Sequence, residues 1–389
     1  FHPNIYHNQN IFKQEGWHLE AVRAELSQVA SEGEAAELRP EEAVIPTTSD
    51  PSDVRLAYNG VVYNEMKGAL SEPESVLYDT LSAALFPDTT YRFESGGTPA
   101  AIPDLTYEAF LDAHERHYRA DNAYIILYGA VDAARMLSFL DEGYLSKMPA
   151  APEGAPVNPL VLQEPVVKMD ARREMVTAPD NACLALGYVV GTSHEVERAL
   201  AVDILVDAIA GSNEAPLKRA VIDAKLGDDF HASLMDSLLQ PFVMMELKGA
   251  KPQAEERFEA LVLAEIERLT KGALDPELLH AAIAHTEFVL REHNFGMADG
   301  VVYSMSAMNG WLYDERDALA YIRYEDMLAD LKAKADTDWF CTLLREVFLE
   351  SQHHGQAQLV PVAVEEQTAS DERLKRLETE LTPSSLQAL

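Results

Sequence analysis

Apolar residues recur at helical spacing in most segments of this chain and bunch into short runs in a few, the pattern of an α+β protein. Val76, Leu77, Leu81 and Leu85 form one helical stripe. It follows Ser71-Glu72-Pro73-Glu74, where Ser71 reads as a cap and Pro73 suits a first turn. Residues 61–70 and 106–118 read as further amphipathic helices, the second capped by Thr106 with Tyr107, Phe110, Leu111 and His114 along one face; 133–144 is another. Strands are expected at 14–20, 54–58 and 123–128, the last being the apolar run AYIILY. Residues 21–53 are rich in Glu, Ala, Ser and Pro and read as a surface insertion, partly helical around 21–29.

A break follows. Residues 149–170 carry prolines at 149, 152, 156, 159 and 165 with little apolar periodicity, the composition of a linker between domains. The pattern then restarts with strands at 172–177, 183–190, 243–247 and 358–362. Helices are expected at 196–210, 216–224, 254–270, 276–292, 319–335 and 338–349, and a charged helix (DERLKRLETEL) after 365. Tyr107-Glu108-Ala109-Phe110-Leu111 is echoed by Tyr324-Glu325-Asp326-Met327-Leu328, each in a helix shortly before a closing strand. The expected organisation is two related units: 1–148, with its insertion at about 21–53, and 171–367, joined by the linker and followed by a helical tail at 368–389. In both, mainly antiparallel strands carry helices on one face.

Composition narrows the function. The chain has 389 residues, with 31 Lys plus Arg against 65 Asp plus Glu, a net charge of −34. So negative a surface repels phosphate backbones and argues against nucleic-acid partners, while suiting cationic peptides. Two cysteines, Cys183 and Cys341, make neither a disulfide framework nor a cysteine-rich zinc site. No apolar run approaches the roughly 20 residues of a membrane span, so a soluble protein of the bacterial cytoplasm is expected. The first residue is Phe1 rather than Met, which reads as a piece of something longer.

Familiar catalytic signatures are missing. There is no G-x-S-x-G, P-loop or G-x-G-x-x-G. His114-Glu115-Arg116-His117 approaches a zinc-protease helix, but Tyr118 stands where H-E-x-x-H needs its second histidine. His280 and His285 are five apart and fall on different helix faces, and His353-His354 reads as surface. Glu65 is more pointed. It sits among Val61, Val62 and Met66 in an expected helix, so it either faces solvent or is held by a cation or metal.

The run Tyr58-Asn59-Gly60-Val61-Val62-Tyr63-Asn64-Glu65-Met66-Lys67-Gly68 resembles the segment that carries the third zinc ligand in the presequence-protease branch of the pitrilysin/insulinase metallopeptidases. The resemblance extends upstream to Phe12-Lys13-Gln14-Glu15-Gly16-Trp17. Downstream it runs through residues 84–91, Glu94-Ser95-Gly96-Gly97, residues 105–110 and Asn122-Ala123 to Tyr128-Gly129. Pro216-Leu217 and Gly227-Asp228-Asp229-Phe230 are similar to the family's second domain, and Leu381-Thr382-Pro383 to the start of the hairpin joining two halves. It implies two tandem pitrilysin-type domains, the first incomplete, forming one half of a clamshell. It also implies a zinc-dependent peptidase that degrades unfolded or basic peptides in a closed chamber, with the remaining half as partner and Glu65 as metal ligand.

In that family an H-x-x-E-H motif supplies two histidine ligands and a glutamate base roughly 75–100 residues before the third ligand. Only 64 residues precede Glu65 here, and they hold no such motif. The resemblance therefore implies that this chain by itself has no catalytic residue, binds no zinc and is inactive. Ala120, where relatives often carry Pro, is a lesser departure. The alternative reading is a non-catalytic scaffold of the same fold that binds peptides or protein partners. Ser95-Gly96-Gly97 suits either a chamber wall or a tight loop.

Overall fold

In a computed structural model the described residues are 7–23, 54–149, 154, 160–292, 296–363 and 369–382. Most of the expected insertion and much of the proline-rich segment lie outside them. Strands β1 (His18–Arg23) and β2 (Val54–Asn59) pair antiparallel, from His18 opposite Asn59 to Arg23 opposite Val54. The strand expected at 14–20 thus begins later. Phe12–Gly16 is a helical turn, and Ala21 to Arg23 extend the ladder instead of starting a helix.

Helices α1 (Val61–Ala69) and α2 (Pro73–Leu85) follow, with Pro73 in the first turn as expected. Ser71 does not cap α2. Its hydroxyl donates to Gly68 O (2.6 Å), closing α1, and Glu72 occupies the cap position. Then come α3 (Tyr107–His117), capped by Thr106 accepting from Ala109 N, and α4 (Ala133–Gly143), capped by Asp132.

The second region is built on a five-stranded sheet in the order β3-β7-β4-β6-β5, with β3 Val167–Val176, β4 Cys183–Val189, β5 Asp229–Met235, β6 Phe242–Lys248 and β7 His354–Val362. Its neighbours are antiparallel except β3 and β7, which run parallel. Its helices are α5 (Val196–Ala210), α6 (Pro216–Asp223), α7 (Ala254–Arg268), α8 (Pro276–Glu292), α9 (Asp299–Trp311), α10 (Glu325–Lys334) and α11 (Trp339–Leu344); α12 (Ala369–Thr379) closes the described chain.

Strand alternation divides the core in two. Leu184, Leu186, Val243, Met245 and Leu247 face α5, α7 and α8. Cys183, Ala185, Phe242, Met244, Ala357 and Leu359 face the other way, onto Val76, Leu77, Leu81 and Leu85 of α2. Helices therefore cover both faces of this sheet, not one as expected, because its strands are apolar on both sides. The contact is close: a Cβ on Gly187 would lie 2.7 Å from Leu85 Cδ1.

The chain is an α+β fold, with three further departures from the expected elements. Residues 123–128 join no ladder among the described residues; Tyr124 meets Trp311 edge-on (4.8 Å) and Tyr128 lies 5.7 Å from Tyr303, so the run packs on α9. Helix α9 itself was unexpected, since its Gly, Ser, Asn and β-branched residues are weak helix formers and tertiary contact decides the outcome. Strand β5 was unexpected too, although Asp229, His231 and Ser233 alternate with Phe230, Ala232 and Leu234 along it. No helix among the described residues is long and apolar enough to cross a membrane.

Candidate functional site

Glu65 lies in the middle of α1, exposed, on a helix that buries none of its residues. What fixes it is the turn from β2. Gly60 has φ +146°, and a Cβ there would sit 2.3 Å from Gly16 O, so only glycine lets the turn approach the QEGW segment. The Asn59 amide organises the corner. Its Oδ1 accepts from Gly60 N (2.8 Å) and from Asn64 Nδ2 (2.7 Å), and its Nδ2 donates to Glu20 Oε2 (2.6 Å). Trp17 packs edge-on against Tyr58 (5.7 Å) and donates from Nε1 to Leu105 O (2.9 Å). The Asn-Gly pair reads in sequence as a turn; that Gly16 and Trp17 form its floor is visible only in three dimensions.

Met66 of α1 is met by the loop at 93–97. A Cβ on Gly96 would fall 2.2 Å from Met66 Sδ, and Gly97 (φ +83°) abuts Ile102, so Ser95-Gly96-Gly97 packs as a tight loop beneath the helix. Glu94 Oε1 accepts from Gly96 N (2.9 Å) and holds that loop. On α2, burial and the adjacent Glu94 carboxylate push Asp79 up to about 7, against the opposing influence of Arg173. Beyond β2, α12 closes the edge: Leu56 N donates to Glu378 Oε1 (2.9 Å), and Arg373 pairs with Asp104 (2.7 Å).

As a zinc centre this donor set is incomplete. Glu65 contributes one carboxylate, and no group of three converging His, Cys, Asp or Glu side chains among the described residues includes it. The histidines are engaged elsewhere. His114 stacks on Tyr118 (4.4 Å), His280 reaches Asp336 (2.9 Å), and His285 reaches Asp207 (3.4 Å), so the last two face different partners. His353 corrects the surface reading: it is buried, with Nε2 2.8 Å from Leu85 O and its ring edge-on to Phe86. It satisfies a carbonyl left open at the end of α2, and burial holds its pKa down. Cys183 is buried, its thiol pushed up to about 11, and Cys341 is half-buried; both are free thiols.

A family model described as "Peptidase M16 inactive domain" matches residues 104–285. The chain is 32% identical over 381 residues to Protein HypA of Clostridium perfringens, covering 97% of this chain and 36% of that protein. It is 27% identical over 406 residues to Presequence protease 1, chloroplastic/mitochondrial, of Arabidopsis thaliana, covering 100% and 35%. It spans about a third of the length of these curated relatives. Among solved structures it is similar in fold to a protease from Helicobacter pylori, with TM-score 0.61 and 17% identity, covering 77% of this chain and 70% of that one.

Proposed function

We propose a shared-site role for this chain, which belongs to the pitrilysin/insulinase (peptidase M16) family of zinc metallopeptidases in its presequence-protease branch. In this reading Glu65 supplies one carboxylate ligand to a zinc centre whose two histidines and general base lie outside the chain. Zinc bound there supplies an activated water and polarises the scissile carbonyl. The chain's own part is positional. The Gly60 turn and the Asn59 amide set the start of α1, Gly96 lets Met66 seat it, and α2 anchors the unit on the sheet of the second region. The substrates are unfolded peptides held between this half and the remaining half of a clamshell, and the net charge of −34 favours cationic ones. The observation that carries the reading is an exposed carboxylate on a helix fixed at its first turn by Gly60 against Gly16 and at Met66 by the Gly96 loop.

The test compares this chain with a longer polypeptide carrying an upstream H-x-x-E-H. Zinc by mass spectrometry and cleavage of a quenched basic peptide are read on both, and on Glu65→Gln in the longer form. This chain is expected to cut nothing. The longer form should cut, and Glu65→Gln should lower its zinc content by one equivalent, with activity falling at least about a hundredfold. A longer form that is inert and zinc-free hands the function to the scaffold reading.

A further inference from the structure

A second group of metal-ligating side chains lies far from Glu65. His194 belongs to the loop between β4 and α5; Asp314 and Asp317 belong to the connection between α9 and α10. His194 Nδ1 is 2.7 Å from Asp317 Oδ2, and one donor atom from each of the three residues lies within 4.8 Å of the others. Among the described residues no other trio of His, Cys, Asp or Glu converges in this way. The acidic groove lined by Asp170, Glu255, Glu256 and Glu259 has more carboxylates, but no histidine is among its lining residues.

The two loops are held in register before any ion arrives. Ser193 N donates to Leu239 O (2.9 Å), and Tyr321 OH donates to Ser193 O (2.9 Å), so the residue before His194 is pinned from two directions. Asp317 N donates to Asp314 O (3.0 Å), fixing the separation of the two acids. Arg316 N and its guanidinium donate to Asp314, but that side chain is 88% exposed, and a carboxylate has about four acceptor positions. The Ser193 hydroxyl, next to His194 in sequence, is fully buried and has no hydrogen-bond partner among the described residues.

We propose that His194, Asp314 and Asp317 form a site for a first-row divalent cation of the Mn2+ or Zn2+ type, clamping the β4–α5 loop to the α9–α10 connection. One imidazole and two carboxylates suit such ions better than Ca2+ or Mg2+, which favour all-oxygen sites. The clamp reaches the first region. Tyr313, beside Asp314, places its hydroxyl 3.0 Å from that of Tyr91, which also accepts from Leu239 N (3.0 Å). A cation here stiffens the contact that carries the 86–105 loop, and hence the support of α1.

The experiment titrates this chain with Mn2+, reading free ion by electron paramagnetic resonance, and then adds Zn2+. One saturable Mn2+ site is expected, displaced by Zn2+ in the order of intrinsic affinities. His194→Ala and Asp317→Asn should each weaken it at least about tenfold. Arg316→Ala, which removes the competing cation, should tighten it, and Glu65→Gln should leave it unchanged. Circular dichroism confirms that the surface variants remain folded. No saturable site, or equal binding in the His194 and Asp317 variants, overturns the proposal.

Discussion

Helices α3 and α10 start from nearly the same pentapeptide and end in opposite surroundings. In α10, Leu328 and Leu331 are buried in the main core. In α3 nothing is buried; the rings of Tyr107 and Phe110 lie 5.8 and 5.5 Å from that of Phe12 and 6.3 Å from each other. The same contrast runs through the two regions. The second closes a core on both faces of a five-stranded sheet. The first, among the described residues, places Leu137 and Phe139 of α4 at 64% and 56% exposure, and its best-buried helix, α2, docks on the sheet of the other region. An amphipathic stripe states what a helix is able to bury; burial depends on a partner surface.

The sharpest way to break this contrast is at α2. Leu81→Ala should cost about 2–5 kcal/mol in urea unfolding, as much as Leu331→Ala in the main core, because both side chains are fully enclosed. A loss below 1 kcal/mol at Leu81 would mean that the first region does not depend on that docking. Next comes Gly60→Ala, which forces a Cβ toward Gly16 O at a positive φ. A cost of about 1–3 kcal/mol is expected, with a change in the near-ultraviolet signal of Trp17.

The half-buried acid of α2, Asp79, gives a smaller, pH-dependent effect. Since Asp79 binds its proton more tightly in the folded state, its stabilising contribution is complete below about pH 4 and is lost as pH rises through about 7. Asp79→Asn should therefore raise the melting temperature at pH 8 and leave it nearly unchanged at pH 4. The gain should be about 1 kcal/mol or less, as the group is only half-buried and solvent screens it. A variant less stable than the parent at pH 8 would reject the assignment. Smallest of all, Leu137→Ser should stay within about 0.5 kcal/mol of the parent, while a loss like that at Leu81 would show α4 to be covered in solution.

Much of the second region was legible because its signals are local. Helix α5 falls at the expected 196–210, and β4 and β6 lie within a residue of their apolar runs. The cap at Thr106 and Pro73 in the first turn of α2 were readable for the same reason, since each acts on atoms within one helical turn. The motif around Glu65 was readable as a family segment, and its Asn-Gly corner as a turn.

The remainder depended on neighbours that sequence distance conceals. The apolar run at 123–128 joins no ladder among the described residues and stays largely exposed, with Tyr124 and Tyr128 resting against Trp311 and Tyr303 of α9. His353 looked like a loop histidine until Leu85 O appeared beside it. His194 and Asp317 are 123 positions apart, so no spacing rule unites them; only the meeting of two loops does. The sequence alone determined most of the helices and strands of the second region, because capping and periodicity act over a few residues. Tertiary structure decided that both faces of one sheet are covered, that α2 leaves its own region to cover one of them, and which histidines are buried, because those outcomes depend on which surfaces come together.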